Sequence, residues 1–210
     1  DAGIHAEAID VAASHVADFD GKVNSIQASV VGMSGALSFH TVDSQVHARM
    51  LRGASVTTRD MSVLAGNTSR KTFFDSTYQV EAGSGGILDG AAALSRSYID
   101  HETEVQIGQD ARINVTGDPE NPGRSDFIAL NDVQVNDAVR LDSGGAISLA
   151  HAQSQVGANL IGRARMENGA HVSTVGNFHV GVRTGGYIHT SANAKTYGLS
   201  GAASGLSRSD

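Results

Sequence analysis

The chain contains no cysteine, which excludes disulfide scaffolds, thiolate metal sites and cysteine nucleophiles. Proline occurs twice in 210 residues, tryptophan never, and aromatic residues make up only 5%. No apolar run approaches the ~20 residues of a membrane span, so no membrane insertion is expected. Three lysines and a net charge of −7 argue against nucleic acid as a partner. Yet 40% of the residues are hydrophobic, too many for a disordered chain. In place of large residues stand 28 Ala, 25 Gly and 23 Ser, more than a third of the sequence. A regular β protein built from small side chains fits this composition.

Internal repetition carries the argument further. A short pattern recurs in which an apolar residue is followed by a small or polar turn and, six places on, by a second apolar residue. It runs Met50 to Val56, Ile107 to Ile113, Leu141 to Ile147, Met166 to Val172 and Val182 to Ile188. A longer period lies above it. Residues 36–56 align without gaps on 93–113, an offset of 57, with Ala36/Ala93, Leu37/Leu94, Ser38/Ser95, Asp43/Asp100 and Ala54/Ala111 identical. A third copy follows 59 residues later at Met166, and Gly90–Ser97 and Gly201–Ser209 both close in Leu-Ser-Arg-Ser.

Between the turns, β-branched residues alternate, as in Val105/Ile107, Ile113/Val115, Val133/Val135 and Val180/Val182, which predicts strands. Gln45–Arg52 and Asn159–Glu167 have some helical character but match β-rich copies, so they too read as strand. The expected fold is all-β, a parallel β-solenoid (β-helix) with about 19-residue coils inside a 57–59 residue higher repeat. About eleven such coils would make a rod on the order of 50 Å long. One continuous segment, 1–210, is expected, with units at about 26–82, 83–141 and 142–197 and a new unit starting near 198. A loop insertion at 117–126 holds both prolines, and 66–79, with Arg70, Lys71, Phe73 and Phe74, is a second irregular place.

The order Gly-x-x-Gly-Ala, small-residue strand, then Ala-x-(Ile/Met)-x-x-Gly-Ala-x-Val resembles the repeat unit of leukotoxin-type filamentous adhesins. These are very large bacterial exoproteins related in style to the filamentous haemagglutinins. Lys195 to Gly205 is the stretch most similar to that family's unit boundary. The resemblance spans most of residues 26–210 and rests on low-complexity motifs. It implies a secreted or cell-surface β-helical stalk with no catalytic residues to carry over. The nine histidines and the two-proline loop depart from the family pattern.

Few residues suggest chemistry. Asp100, Glu102 and Glu104 share one strand face, as a polysaccharide-cleaving pair of acids would, but a solvated outer face is the simpler reading. Asp132 and Asp137 read as strand-end turn residues. The histidines are scattered, and stacking could bring His47 to His171, though their repeat offsets differ. For calcium, Asp118, Glu120, Asn121 and Asp126 supply hard oxygens within one loop, but a polar Pro/Gly turn explains them as well. Gly181–Gly186 lacks the lysine and spacing of a phosphate loop. No cofactor is expected, with calcium the one ion the residues suit.

The function expected is therefore non-catalytic: a structural rod segment of a bacterial surface or secreted filamentous adhesin, located outside the cell. Its partners would be neighbouring repeats, copies of itself end to end, or host and cell-surface glycans. Neither end of the segment resembles a cap. Two alternatives are a self-assembling extracellular fibre subunit and a carbohydrate-active β-helix enzyme.

Overall fold

Alternation with small residues produces long strands rather than short ones. The computed structural model describes residues 3–72 and 78–210, and among these there are ten strands and no helix. They are β1 (Gly3–Phe19), β2 (Val23–Ala28), β3 (Val31–Met50), β4 (Ser55–Lys71), β5 (Val80–Ile107), β6 (Arg112–Val115), β7 (Arg124–Met166), β8 (His171–Thr174), β9 (Asn177–Tyr197) and β10 (Ser200–Ser209). Both stretches with helical character are strand up to Met50 and Met166, the ends of β3 and β7, and then enter the turns that follow.

Every strand pairing is parallel and belongs to one sheet system. Hydrogen-bonded neighbours are about one 57-residue unit apart: Ala36 pairs with Ala93, Met50 with Ile107, and Ile107 in turn with Met166. The offset of 57 read from the sequence is thus the ladder register itself. Coils of about 19 residues would pair residues about 19 apart, and this pairing does not occur. The chain passes over itself as four layers, 3–50, 55–107, 112–166 and 171–209, in place of eleven short coils. Gly85-Gly86 and Gly144-Gly145 lie within β5 and β7, where the inward–outward alternation breaks for a few residues and the chain turns from one wall to the other.

Each layer runs out along one wall and back along the other. Three four-residue turns, Leu51–Ala54, Gly108–Ala111 and Glu167–Ala170, join successive layers. Each closes with a bond from its fourth N–H to its first carbonyl, at 3.1–3.2 Å, and each needs a left-handed third residue. Those residues are Gly53, Asp110 and Gly169, at φ of 67°, 57° and 76°. At the far end the walls reverse beside a column formed by Gly86, Gly145 and Gly198. There an added Cβ would lie 2.1, 2.5 and 1.6 Å from the backbone carbonyls of Ser29, Gly86 and Gly145.

The two-proline insertion behaves as a loop. It separates β6 from β7 and lengthens the register from 57 to 64 residues, since Ser55 pairs with Arg112 but Asp60 with Arg124. Residues 66–71, expected to be irregular, complete β4 instead. Phe73 and Phe74 lie outside the described residues.

Inward positions form three apolar clusters. One near the joining turns contains Val63, Ala65, Val105, Ile107 and Phe127, and one at the reversal contains Val80, Ala93, Val139 and Leu141. Between them sit Ile99, Val133, Val135 and Val156. Small side chains let the two walls approach closely, which is the physical reason for the composition.

The glycine column gives a direct test. Gly145→Ala should destabilise the fold by about 1–3 kcal/mol, since backbone must shift to admit the methyl group. Gly66→Ala, with open space at its Cβ position, should change the urea midpoint little.

Candidate functional site

The inward faces are not wholly apolar. A buried polar seam runs between the walls on either side of the central apolar cluster. Its basis is a column of four serines, Ser38, Ser95, Ser154 and Ser207, stacked in register from first layer to last. Ser95 and Ser154 turn their hydroxyls into the interior, and in the last layer Ser207 meets Thr190 of the facing wall.

At its centre, Lys71 and Asp137 are both fully buried and form an ion pair. The Lys71 ammonium also donates to Ser97 Oγ at 2.8 Å and Ser95 Oγ at 3.3 Å. Ser95 and Ser154 donate to the two Asp137 oxygens at 2.7 and 2.5 Å. Every polar atom of the pair therefore has a partner, as a charge pair held away from water requires. Asp137 was read as a turn residue but lies mid-strand in β7, pointing inward. Asp132 points outward and accepts from Gln134 Nε2 at 3.1 Å.

Further along the seam, His101 bonds Ser69 Oγ through Nε2 at 2.8 Å while its Nδ1 has no partner. Thr103 donates to Asn131 Oδ1 at 2.5 Å, and Asn67 donates across to the Ser44 carbonyl at 3.0 Å. Burial, reinforced by the nearby His15, holds the His101 pKa below its ordinary value of 6.5. Burial and the field of Lys71 do the same for His40. These serine–histidine and serine–lysine contacts have the residue types of nucleophilic catalysis, but Ser69, His101, Lys71 and Ser95 have no exposure to solvent. They face one another across the interior, out of reach of solvent.

Outside, Asp100, Glu102 and Glu104 do share one strand face, as expected. Each is tied to a neighbouring layer. Asn159 donates to Asp100 at 3.0 Å, and Arg163 pairs with Glu102. Glu104 is held by Arg49 at 2.8 Å, Arg165 at 3.3 Å and His47 at 3.3 Å. Burial pushes the Glu104 carboxyl up, but the hydrogen bond from Arg49 and the charges of Arg165, Arg49 and His47 together bring it below its ordinary value. The three acids work as clamps between layers.

The candidate calcium ligands are dispersed among other partners. Asp118 Oδ1 accepts from the Glu120 and Asn121 backbone N–H groups within its own loop. Asp126 faces Arg124 at 2.5 Å and His179 at 3.7 Å. His47 and His171 are not brought together, since His171 pairs in register with Arg112. Among the described residues, no group of three or more His, Cys, Asp or Glu side chains is arranged to hold a metal.

Sequence reading missed the Lys71–Asp137 pair. Its one signal is parity: Lys71 occupies the inward phase set by Met61, Val63 and Ala65. Compared with known proteins, the chain matches no family model, no curated protein and no solved structure.

Two predictions follow from the seam. Lys71→Met leaves a buried carboxylate unpaired and should cost about 3–5 kcal/mol in chemical denaturation, whereas Lys71→Met with Asp137→Leu should recover most of that loss. Above pH 6.5 His101 is neutral folded and unfolded, and contributes no slope. Below 6.5 the unfolded chain binds the proton first, so stability falls with pH until the folded-state pKa is passed. His101→Gln should flatten that part of the stability profile.

Proposed function

We propose that this chain is a non-catalytic structural segment of a filamentous bacterial adhesin, a β-solenoid rod that acts outside the cell. The observation that carries the reading is the state of the outermost layers. Among the described residues, β1–β3 are hydrogen-bonded on one side only, and so are β8–β10. Each presents a long ladder edge that a further layer can extend, adding about 4.8 Å of rod. The outer faces support the same role, because their acids and arginines clamp one layer to the next. The carbohydrate-active alternative is not favoured, since the carboxylates it needs are committed to Arg49, Arg163, Arg165 and Asn159.

A second reading, the self-assembling subunit, is favoured by the charges on the two edges. Residues 3–50 carry five Asp or Glu against two Lys or Arg, and residues 171–210 carry three Lys or Arg against one Asp, Asp210, which pairs with Arg208. In register, the last layer of one copy would place Phe178 on Ile9, Val180 on Val11 and Ile188 on Phe19 of the next. The same register sets His179 over Asp10, just as it faces Asp126 within the chain.

A head-to-tail fusion of two copies tests the stacking. It should unfold in one transition at a higher midpoint than a single copy; an unchanged midpoint would overturn the rod reading. Sedimentation separates the two forms. A subunit should form oligomers at low salt that dissociate at high salt, and Arg183→Glu with Lys195→Glu should abolish them. In the producing cell, a native polypeptide far heavier than 21.7 kDa is expected of the adhesin, and one near that mass favours the subunit.

A further inference from the structure

One wall carries an apolar face that its own fold leaves uncovered. The outward residues of β3, β5, β7 and β10 form columns through all four layers. On this face Met33, Leu37, Phe39, Leu88, Ile147 and Leu149 are 46–76% exposed. The face runs from residue 31 to 41 in the first layer, about 33 Å along the strands, and about 19 Å across the four layers. That is roughly 600 Å² of largely apolar surface, enough to mark an interaction site.

Its relief is a groove beside a ridge. The groove follows the column Gly35–Ala92–His151–Ser204, and the ridge is the next outward column, Leu37–Leu94–Gln153–Leu206. Gly90, Leu149 and Ala202 also line the groove, which is open to solvent. The chain's own packing does not require its glycines. A Cβ on Gly90 would meet nothing within 4 Å, and one on Gly35 only the Ala92 carbonyl at 3.9 Å. Neither residue has a positive φ. Glycine inside a strand costs stability and often marks the close approach of another chain.

We propose that a second copy of the chain covers this face, the two rods lying side by side about a two-fold axis parallel to the rod, midway between groove and ridge. That axis lays the ridge of each copy in the groove of the other, an isologous contact between sheets ~10 Å apart. Both rods rise ~4.8 Å per layer, so each layer meets the same layer of the partner. The layers match in content. Leu37 meets Gly35 of the partner, Leu94 meets Ala92, and Leu206 meets Ser204. In the third layer His151 fills the groove, and there the ridge residue is Gln153, so an imidazole meets an amide. His151 Nδ1 is engaged by Ser204 Oγ at 2.8 Å, which leaves Nε2 for that amide. Charges fit as well. Arg96 falls opposite Gly90, Arg208 opposite Ala202 and Asp210 opposite Ser200, so no like charges meet. The contact buries about 1,200 Å² over both copies, the lower bound for a stable interface, and every further layer would lengthen it. It is independent of whether the rod grows by covalent units or by end-to-end stacking.

Sedimentation equilibrium of the full chain in about 1 M sodium chloride tests this, because salt screens the charged edges through which ends would stack and leaves apolar contact in place. A closed dimer of twice 21.7 kDa is expected, unaltered by Arg183→Glu with Lys195→Glu. Leu37→Glu with Leu206→Glu sets carboxylates in both grooves and should raise the dimer Kd at least a hundredfold. Both side chains are about half exposed, so the fold should remain. A monomer at about 100 µM in high salt would overturn the proposal, as would a dimer that the two Glu substitutions leave intact. Cross-linking reads the register, since the chain has no cysteine of its own. In a mixture of Met33→Cys and Phe39→Cys chains, a short bismaleimide should join unlike chains, whose thiols face each other. Two Met33→Cys chains would hold their thiols about 20 Å apart along the strands and should not be joined. Preferential joining of like chains would overturn the two-fold arrangement.

Discussion

Parallel, in-register pairing of each residue with its counterpart one unit away is the constraint on which this structure depends. It converts a one-dimensional repeat into columns of stacked residues, and each column must be tolerable at every layer. Columns such as Ala13–Ala65–Ala129 and Met50–Ile107–Met166 satisfy this with apolar contact. The serine column does so with hydroxyls that bond the facing wall. The glycine column at the reversal does so by having no side chain at all, where any carbon would strike a carbonyl of the layer below.

The charged groups obey the same rule by a different route. Like charges stacked in one column would repel at the strand spacing of ~4.8 Å. Some outward columns alternate in sign, as Glu81 on Arg140 does, while Asp43 does stack on Asp100, whose carboxylate takes a hydrogen bond from Asn159 on its other side. Glu104 lies between His47 and Arg163 in its own column and reaches Arg49 and Arg165 in the next. Inside, where no water helps, Lys71 sits in a column of Phe19, Val135 and Ile188, and its charge is met by Asp137, two residues beyond Val135 in the next layer of the same wall.

The register was legible in the sequence to the residue, because identities such as Ala36/Ala93 and Ser38/Ser95 fall on true ladder partners. Even the Leu-Ser-Arg-Ser match is one of shared columns, since Leu94 and Leu206 both stack on Gln153. Coil length was not legible. Gly85-Gly86 and Gly144-Gly145 do mark a corner, but nothing local says how far a wall runs between one corner and the next. The outward phase of Asp100, Glu102 and Glu104 followed from alternation, but their arginine clamps come from other layers. The buried Lys71–Asp137 pair is the local ladder offset of 64 plus two residues along the same wall, and that offset contains the two-proline insertion, so the 57-residue repeat did not reveal it.

The length of a layer has a mechanical consequence. Because one whole unit lies in a single layer, an axial pull that detaches one layer frees some 57 residues at once. At ~3.3–3.6 Å per extended residue, that is roughly 190–200 Å of slack from a step only about 5 Å tall. A rod of this design would lengthen in large, discrete increments under load and limit the tension that its attachment points feel.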